Sequence, residues 1–167
     1  MGQYYRPVNV DTSQSLCPWK LGTLAKLMEH SYLDDGLPAT VMTLLASDWS
    51  GARIVWAGDY ADVEVGKDAN LYDLATLLLV PSSSSLLSPR FLINRDRRQY
   101  IDLQQLSPQA DGLTLHPLPL LTAEGNGRGG GDYRGCDQRI GLWAREHLAA
   151  SDIAPTSYAI VDGTFIE

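Results

Sequence analysis

Six of the fifteen glycines fall between Glu124 and Gly135, in the run Glu-Gly-Asn-Gly-Arg-Gly-Gly-Gly-Asp-Tyr-Arg-Gly. Glycine loses more backbone freedom on ordering than any other residue, so such a run makes physical sense where the chain must turn sharply or approach another group closely. Amides with no Cβ beside them can cradle a phosphate or carboxylate, and a helix start behind them adds unpaired N–H groups. Arg128 and Arg134 would contribute cationic donors. The candidate ligand-binding set is therefore Asn126, Gly127, Arg128, Gly129, Gly130, Gly131 and Arg134, ahead of a helix expected from about Asp137 to Ala150. The run is not a Walker loop, which needs Gly-Lys-Ser/Thr, and no GxGxxG frame leads straight into the helix. Asp132 works against an anion in the same loop. The competing reading is an ordered turn that binds nothing, or a mobile loop.

Carboxylates offer a second chemistry. Asp59, Asp62 and Asp132 could converge on a hard cation and support a metal-assisted hydrolase, although no EF-hand spacing is present. Aspartates at strand ends are more often turn formers or caps. The three stay weak metal candidates, and no cofactor is expected.

Cys136 precedes the expected helix, where a helix dipole can lower a thiol pKa. A nucleophile wants a base in reach, and His147 lies about 16 Å further along that helix at ~1.5 Å per residue. His30 and His116 could approach only through tertiary contact. Cys17 and Cys136 form no CxxC pair and read as two reduced thiols. No catalytic residue is assigned, and the balance leans away from an enzyme.

Arg90, Arg95, Arg97 and Arg98 with Tyr100 make the one basic concentration, on an expected hairpin tip, where charge also guards a sheet edge. Thirteen Lys+Arg against twenty Asp+Glu give a net charge of −7. That sign repels a phosphate backbone, so nucleic acid is not an expected partner. Hydrophobic residues make up 44 % and charged ones 20 %, which is globular rather than disordered composition. No apolar run approaches the roughly 18–20 residues that cross a bilayer. The opening Met1–Arg6 has no apolar signal region, and Arg6 stands where myristoylation wants Ser or Thr. A cytoplasmic protein with no membrane partner is expected.

These groups need a scaffold, and 167 residues suit a single domain spanning 1–167. Tyr4–Val10 reads as a strand, followed by a turn and a short return near Leu16. A helix is expected from Thr23 to about Ser31, and another from Pro38 with Val41, Leu44 and Leu45 inward. Arg53–Ala57 is the clearest strand. Asn70 caps a third helix in which Leu71, Leu74, Ala75 and Leu78 share a face. Residues 81–89, opening on Pro-Ser-Ser-Ser-Ser, read as a surface connector. Phe91–Ile93 and Tyr100–Ile101 form a hairpin. Leu118–Thr122 is a modest strand candidate, and Asp162-Gly163 suits the turn of a C-terminal hairpin. The four tryptophans, Trp19, Trp49, Trp56 and Trp143, read as core or core-rim residues. Local hairpins mixed with helices predict an α+β fold, a mostly antiparallel sheet with about four helices packed on it.

Met1-Gly2-Gln3-Tyr4-Tyr5 with Val8-Asn9, Lys26-Leu27-Met28-Glu29, Trp49 to Asp62 and Gly125 to Gly135 together resemble a family of small proteins of bacteria and their phages. The resemblance implies no particular activity, fold or site residue; its phage association implies an accessory role, such as sequestering a signal or blocking a host protein. The leading expectation is a non-enzymatic binding protein. Its glycine-rich loop and following helix start would contact a phosphorylated small molecule or an acidic group on a protein partner. The alternatives are the metal-assisted hydrolase and an acidic protein-interaction or oligomerisation module.

Overall fold

The computed structural model describes residues 1–80 and 86–167. The chain forms an α+β single domain, a mostly antiparallel mixed sheet with about four helices packed on it. Its strands are β1 (Tyr5–Asn9), β2 (Gln14–Ser15), β3 (Ala52–Gly58), β4 (Thr76–Leu77), β5 (Phe91–Asn94), β6 (Gln99–Asp102), β7 (Ala123–Glu124), β8 (Glu146–Ser151) and β9 (Ala159–Ile160). They lie in the order β4-β2-β1-β3-β8-β5-β6-β9, and β7 pairs with β3 off this path. No helix among the described residues is long and apolar enough to cross a membrane. Residues 81–85 of the expected connector lie outside the described residues. Leu87 beyond them is tied to Thr43, whose Oγ1 accepts from the Leu87 amide at 3.1 Å.

β3 organises the core because its side chains alternate and both of its faces are covered. Ile54 and Trp56 join the main core with Tyr5, Leu37, Val41, Leu45, Trp49, Leu92 and Leu148, while Val55 and Ala57 pack on the other face with Val8 and Tyr72. A central strand buried on both sides reads as a continuous apolar run, as residues 54–57 do. Helix α2 (Gly36–Leu45) starts where Asp35 Oδ1 accepts from the Leu37 amide at 2.8 Å, the usual service of an N-cap aspartate. The expected helices on either side shrink to single turns, α1 (Leu27–His30) and α3 (Leu71–Leu74). Asn70 does cap α3, accepting from the Asp73 amide at 3.1 Å.

Three expected elements are corrected. The strand candidate at Leu118–Thr122 is helix α4 (Pro117–Leu121). Pro117 suits the first helical position, His116 Nδ1 accepts from the Leu118 amide at 3.1 Å, and Thr122 Oγ1 donates to Leu118 O at 2.7 Å. The helix expected at Asp137–Ala150 is absent: residues 138–145 form turns and the rest is β8, inserted between β3 and β5. Gly141 takes φ +73°, and an ideal Cβ there would lie 2.6 Å from Ala123 O; its amide and that of Trp143 bond Leu120 O and Leu121 O instead of a helix turn. Pairing on both edges of β8 outweighs an amphipathic pattern already weakened by an interior glycine.

The C-terminal hairpin is likewise replaced. β9 runs parallel to β6, and the chain beyond it is gathered by Arg139, whose Nη1 and Nη2 donate to Asp162 O and Thr164 O at 2.6 Å each. Phe165, 1 % exposed, packs edge-on against Tyr133. Trp49, Trp56 and Trp143 are buried, but Trp19 is 52 % exposed and stands edge-on to Tyr4.

Candidate functional site

The glycine-rich loop does cradle a carboxylate, and the carboxylate is its own. Asp132 Oδ2 accepts from the amides of Gly127 (2.6 Å), Arg128 (3.1 Å) and Gly129 (3.3 Å). Asn126 closes the loop's neck by accepting from the Tyr133 amide at 3.0 Å, and the Arg128 amide bonds Gly125 O at 3.2 Å. The repulsion that Asp132 would exert on a bound anion is thus resolved by Asp132 occupying the nest itself, with no helix behind it.

The closed loop grips the amino-terminal segment. The Gln3 amide donates to Gly130 O at 3.2 Å, and the Met28 amide to Gly131 O at 2.9 Å. Glycine is demanded here by contact: an ideal Cβ on Gly129 would lie 2.6 Å from the Gln3 backbone nitrogen, and one on Gly131, at φ +84°, 2.4 Å from Lys26 Cδ. Beneath the loop Gln3, Tyr5 and Asp132 are buried together. The Gln3 side-chain nitrogen has three acceptors within reach of its two hydrogens, Gly125 O (2.6 Å), the Tyr5 hydroxyl (3.0 Å) and Asp132 Oδ2 (3.2 Å), while its oxygen accepts from the Tyr60 amide (3.1 Å). Burial, then the charge of Asp132 and a hydrogen bond with it, pushes the Tyr5 phenol well above its ordinary pKa. Nearby, Trp56 Nε1 donates to His30 Nε2 at 2.8 Å, which puts the histidine proton on Nδ1, facing Leu24 O at 2.9 Å.

Outside the loop lies a groove of about 370 Å³ lined by residues 61–65, Glu124, Gly125, Arg128 and Arg145. Arg145 fills its donor fork with two carboxylates. Nε meets Glu124 Oε1 at 2.6 Å and Nη1 meets Glu64 Oε2 at 2.8 Å, with Nη2 shared between both residues. The side-chain hydrogen bond to Arg145 holds Glu64 below the ordinary carboxylate range. Arg128 differs: it donates only through Nη1, to Tyr60 O at 2.9 Å and Asp62 Oδ1 at 2.7 Å. Among the described residues, its Nε and Nη2 edge meets no protein acceptor.

The expected ligand set is therefore divided. Gly127 and Gly129 spend their amides on Asp132, and Gly130 and Gly131 spend their carbonyls on the amino-terminal segment and α1. Arg134 is exposed, its amide meets Glu167 Oε1 at 3.2 Å, and it does not line the groove. Arg128 alone reaches the groove with free donors. The expected metal set does not assemble: Asp59 Oδ1 accepts from the Tyr4 amide, Asp62 sits on Arg128, and Asp132 is in the loop. Among the described residues, no three His, Cys, Asp or Glu side chains are grouped to hold a metal ion.

Gln3, Glu124 and Arg145 were invisible as site residues in the sequence, and Glu64 stood out only as a neighbour of the Asp59–Asp62 acidic cluster. Glu64 and Arg145 are 81 positions apart, and no local pattern announces their pairing. The segments quoted for the family resemblance nevertheless meet here: residues 2–5, Lys26 to Met28, Trp56 to Asp62 and the glycine-rich loop. No family model, curated protein or solved structure matches the chain.

Proposed function

We propose that the protein is a non-enzymatic binding protein whose contact is Arg128 at the rim of the 61–65 groove, engaging a phosphate or carboxylate of a small molecule or of a protein partner. The observation that carries this reading is the unused Nε/Nη2 edge of a guanidinium held in place through its third nitrogen. A planar fork of this kind matches two oxygens of an anion at once, which a lysine ammonium cannot do. Asp62, an exposed carboxylate on Nη1, together with Tyr60 O holds the guanidinium by one nitrogen and leaves the Nε/Nη2 edge to the ligand anion. The loop amides have no part in the contact, and the rigid loop serves to present Arg128. The family resemblance supports an accessory role such as sequestering a signal or blocking a host protein.

Calorimetric titration with a panel of nucleotides tests the small-molecule form. Heat of binding is expected from wild type, reduced in R128K and lost in R128A. Null traces from all three remove it. A second reading, a protein-interaction surface, is favoured by Tyr4 and Trp19, which stand exposed and edge-on to each other at 5.4 Å. There a pull-down partner would be lost with W19A and kept with R128A.

A further inference from the structure

On another part of the domain, the described residues line an open-sided pocket of about 310 Å³ between α2, the 87–90 segment and the turn at Leu103–Gln104. Its walls are mainly apolar, with Leu33, Ala39, Met42, Leu87, Pro89 and Leu103 contributing. Ser88, Arg90, Gln104 and His116 add polar side chains, and of these only His116 is buried. His116 is 2 % exposed, and its Nδ1 is committed as an acceptor to the Leu118 amide. Burial lowers the ring's pKa to about 3, so the imidazole is neutral and its proton is on Nε2. Among the described residues, no acceptor meets that N–H. Arg90 bonds Asp102 through Nε (2.9 Å) and Nη2 (2.6 Å), which leaves Nη1 without a protein acceptor among the same residues.

We propose that this cavity binds a small apolar molecule carrying one uncharged oxygen acceptor, a carbonyl, which takes hydrogen bonds from His116 Nε2 and Arg90 Nη1. The charge count selects the class. Asp102 already balances Arg90 and His116 is neutral, so a carboxylate would enter an apolar cavity without a counter-charge. A ligand with no acceptor at all would leave the buried N–H of His116 unpaired, which disfavours pure hydrocarbon. A carbonyl satisfies the donor and adds no charge, and the volume is at the lower end of what small-molecule pockets occupy.

Three aromatic probes of nearly one shape separate the possibilities: acetophenone, its isostere α-methylstyrene without the oxygen, and benzoate. Binding is followed by chemical-shift titration of the wild-type protein. Acetophenone should shift the His116 ring resonances and bind about tenfold more tightly than either of the others. The H116D variant keeps a capping oxygen for Leu118 and carries no N–H donor, so it should bind acetophenone and α-methylstyrene alike. A39F fills the cavity and should abolish binding while the thermal transition stays cooperative. Equal affinity of wild type for acetophenone and α-methylstyrene, tighter binding of benzoate, no binding of acetophenone, or an A39F protein that folds and still binds would each overturn the proposal.

Discussion

Asp132 Oδ2 lies 2.6 Å from the amide nitrogen of Gly127, five residues earlier in the same loop. That contact turns a sequence that looks made for a foreign anion into one that has supplied its own. A phosphate cradle and an internal carboxylate nest need the same thing, amides pointing inward with no Cβ in the way. Composition cannot tell them apart.

The nest sets the first prediction. Removing the carboxylate in D132A leaves three converging amides and the Gln3 side chain without their acceptor beneath a largely buried surface. Loss of a buried acceptor costs about 1–3 kcal/mol. Urea denaturation should show a drop of that size, with D132N falling less because one oxygen remains. An unchanged midpoint for D132A would mean that the nest contributes nothing to stability.

Glycines of the loop should separate by cause. Gly127 has φ +87° with open space where a Cβ would be, so G127A bears mainly conformational strain, about 1 kcal/mol. G129A drives a methyl into the Gln3 backbone and should cost clearly more. The ranking can be read from thermal midpoints of the two variants. The reverse order would contradict the close approach of loop and amino terminus.

Stability should fall on acidification before the carboxylates titrate. Burial lowers His30 to about 4 and His116 to about 3, from an unfolded value of 6.5. Between those values the unfolded chain binds a proton that the folded chain refuses, so unfolding takes up protons and stability declines as pH drops from about 6.5 toward 4. Each histidine adds a slope of about 1.4 kcal/mol per pH unit in that window. Asp35 opposes this at lower pH because burial raises its carboxyl. Denaturation series from pH 7 to pH 4.5 should show the decline, and H116N should remove about one proton's worth of it.

Asp62 places a negative charge beside the Arg128 edge that takes the anion, so D62A should bind a responsive nucleotide more tightly than wild type, by several-fold, and more so at low salt where that repulsion is less screened. Calorimetry on the ligand found for wild type gives the comparison. Weaker binding by D62A would instead make Asp62 part of the recognition.

Elements that obey local rules were legible in the chain. The apolar run at residues 54–57, the Asn70 cap, the 91–101 hairpin and the α+β class all follow from propensity, period and turn chemistry, which act over a few residues. The loop's glycines were equally plain. What local patterning could not reveal was decided at long range. Residues 146–151 have a helix-compatible pattern, yet β3 and β5 offer pairing on both sides and take them as a strand. Residues 117–121 go the other way, because two prolines and a histidine cap suit a helical turn once Thr122 and Ala123 pass beside β3.

The same division runs through the site. The sequence by itself determined the clustering of glycine in residues 124–135, the net charge of −7 and the shortness of every apolar run relative to a bilayer. Only the tertiary structure decided that Asp132 fills the nest, that Gln3 lies beneath it, and that Arg128 points outward with half its donors unused. The Asp132 nest closes over five positions, but Arg128 reaches Asp62 across 66 and Gln3 reaches Asp132 across 129, and those pairings depend on where the sheet brings backbones together.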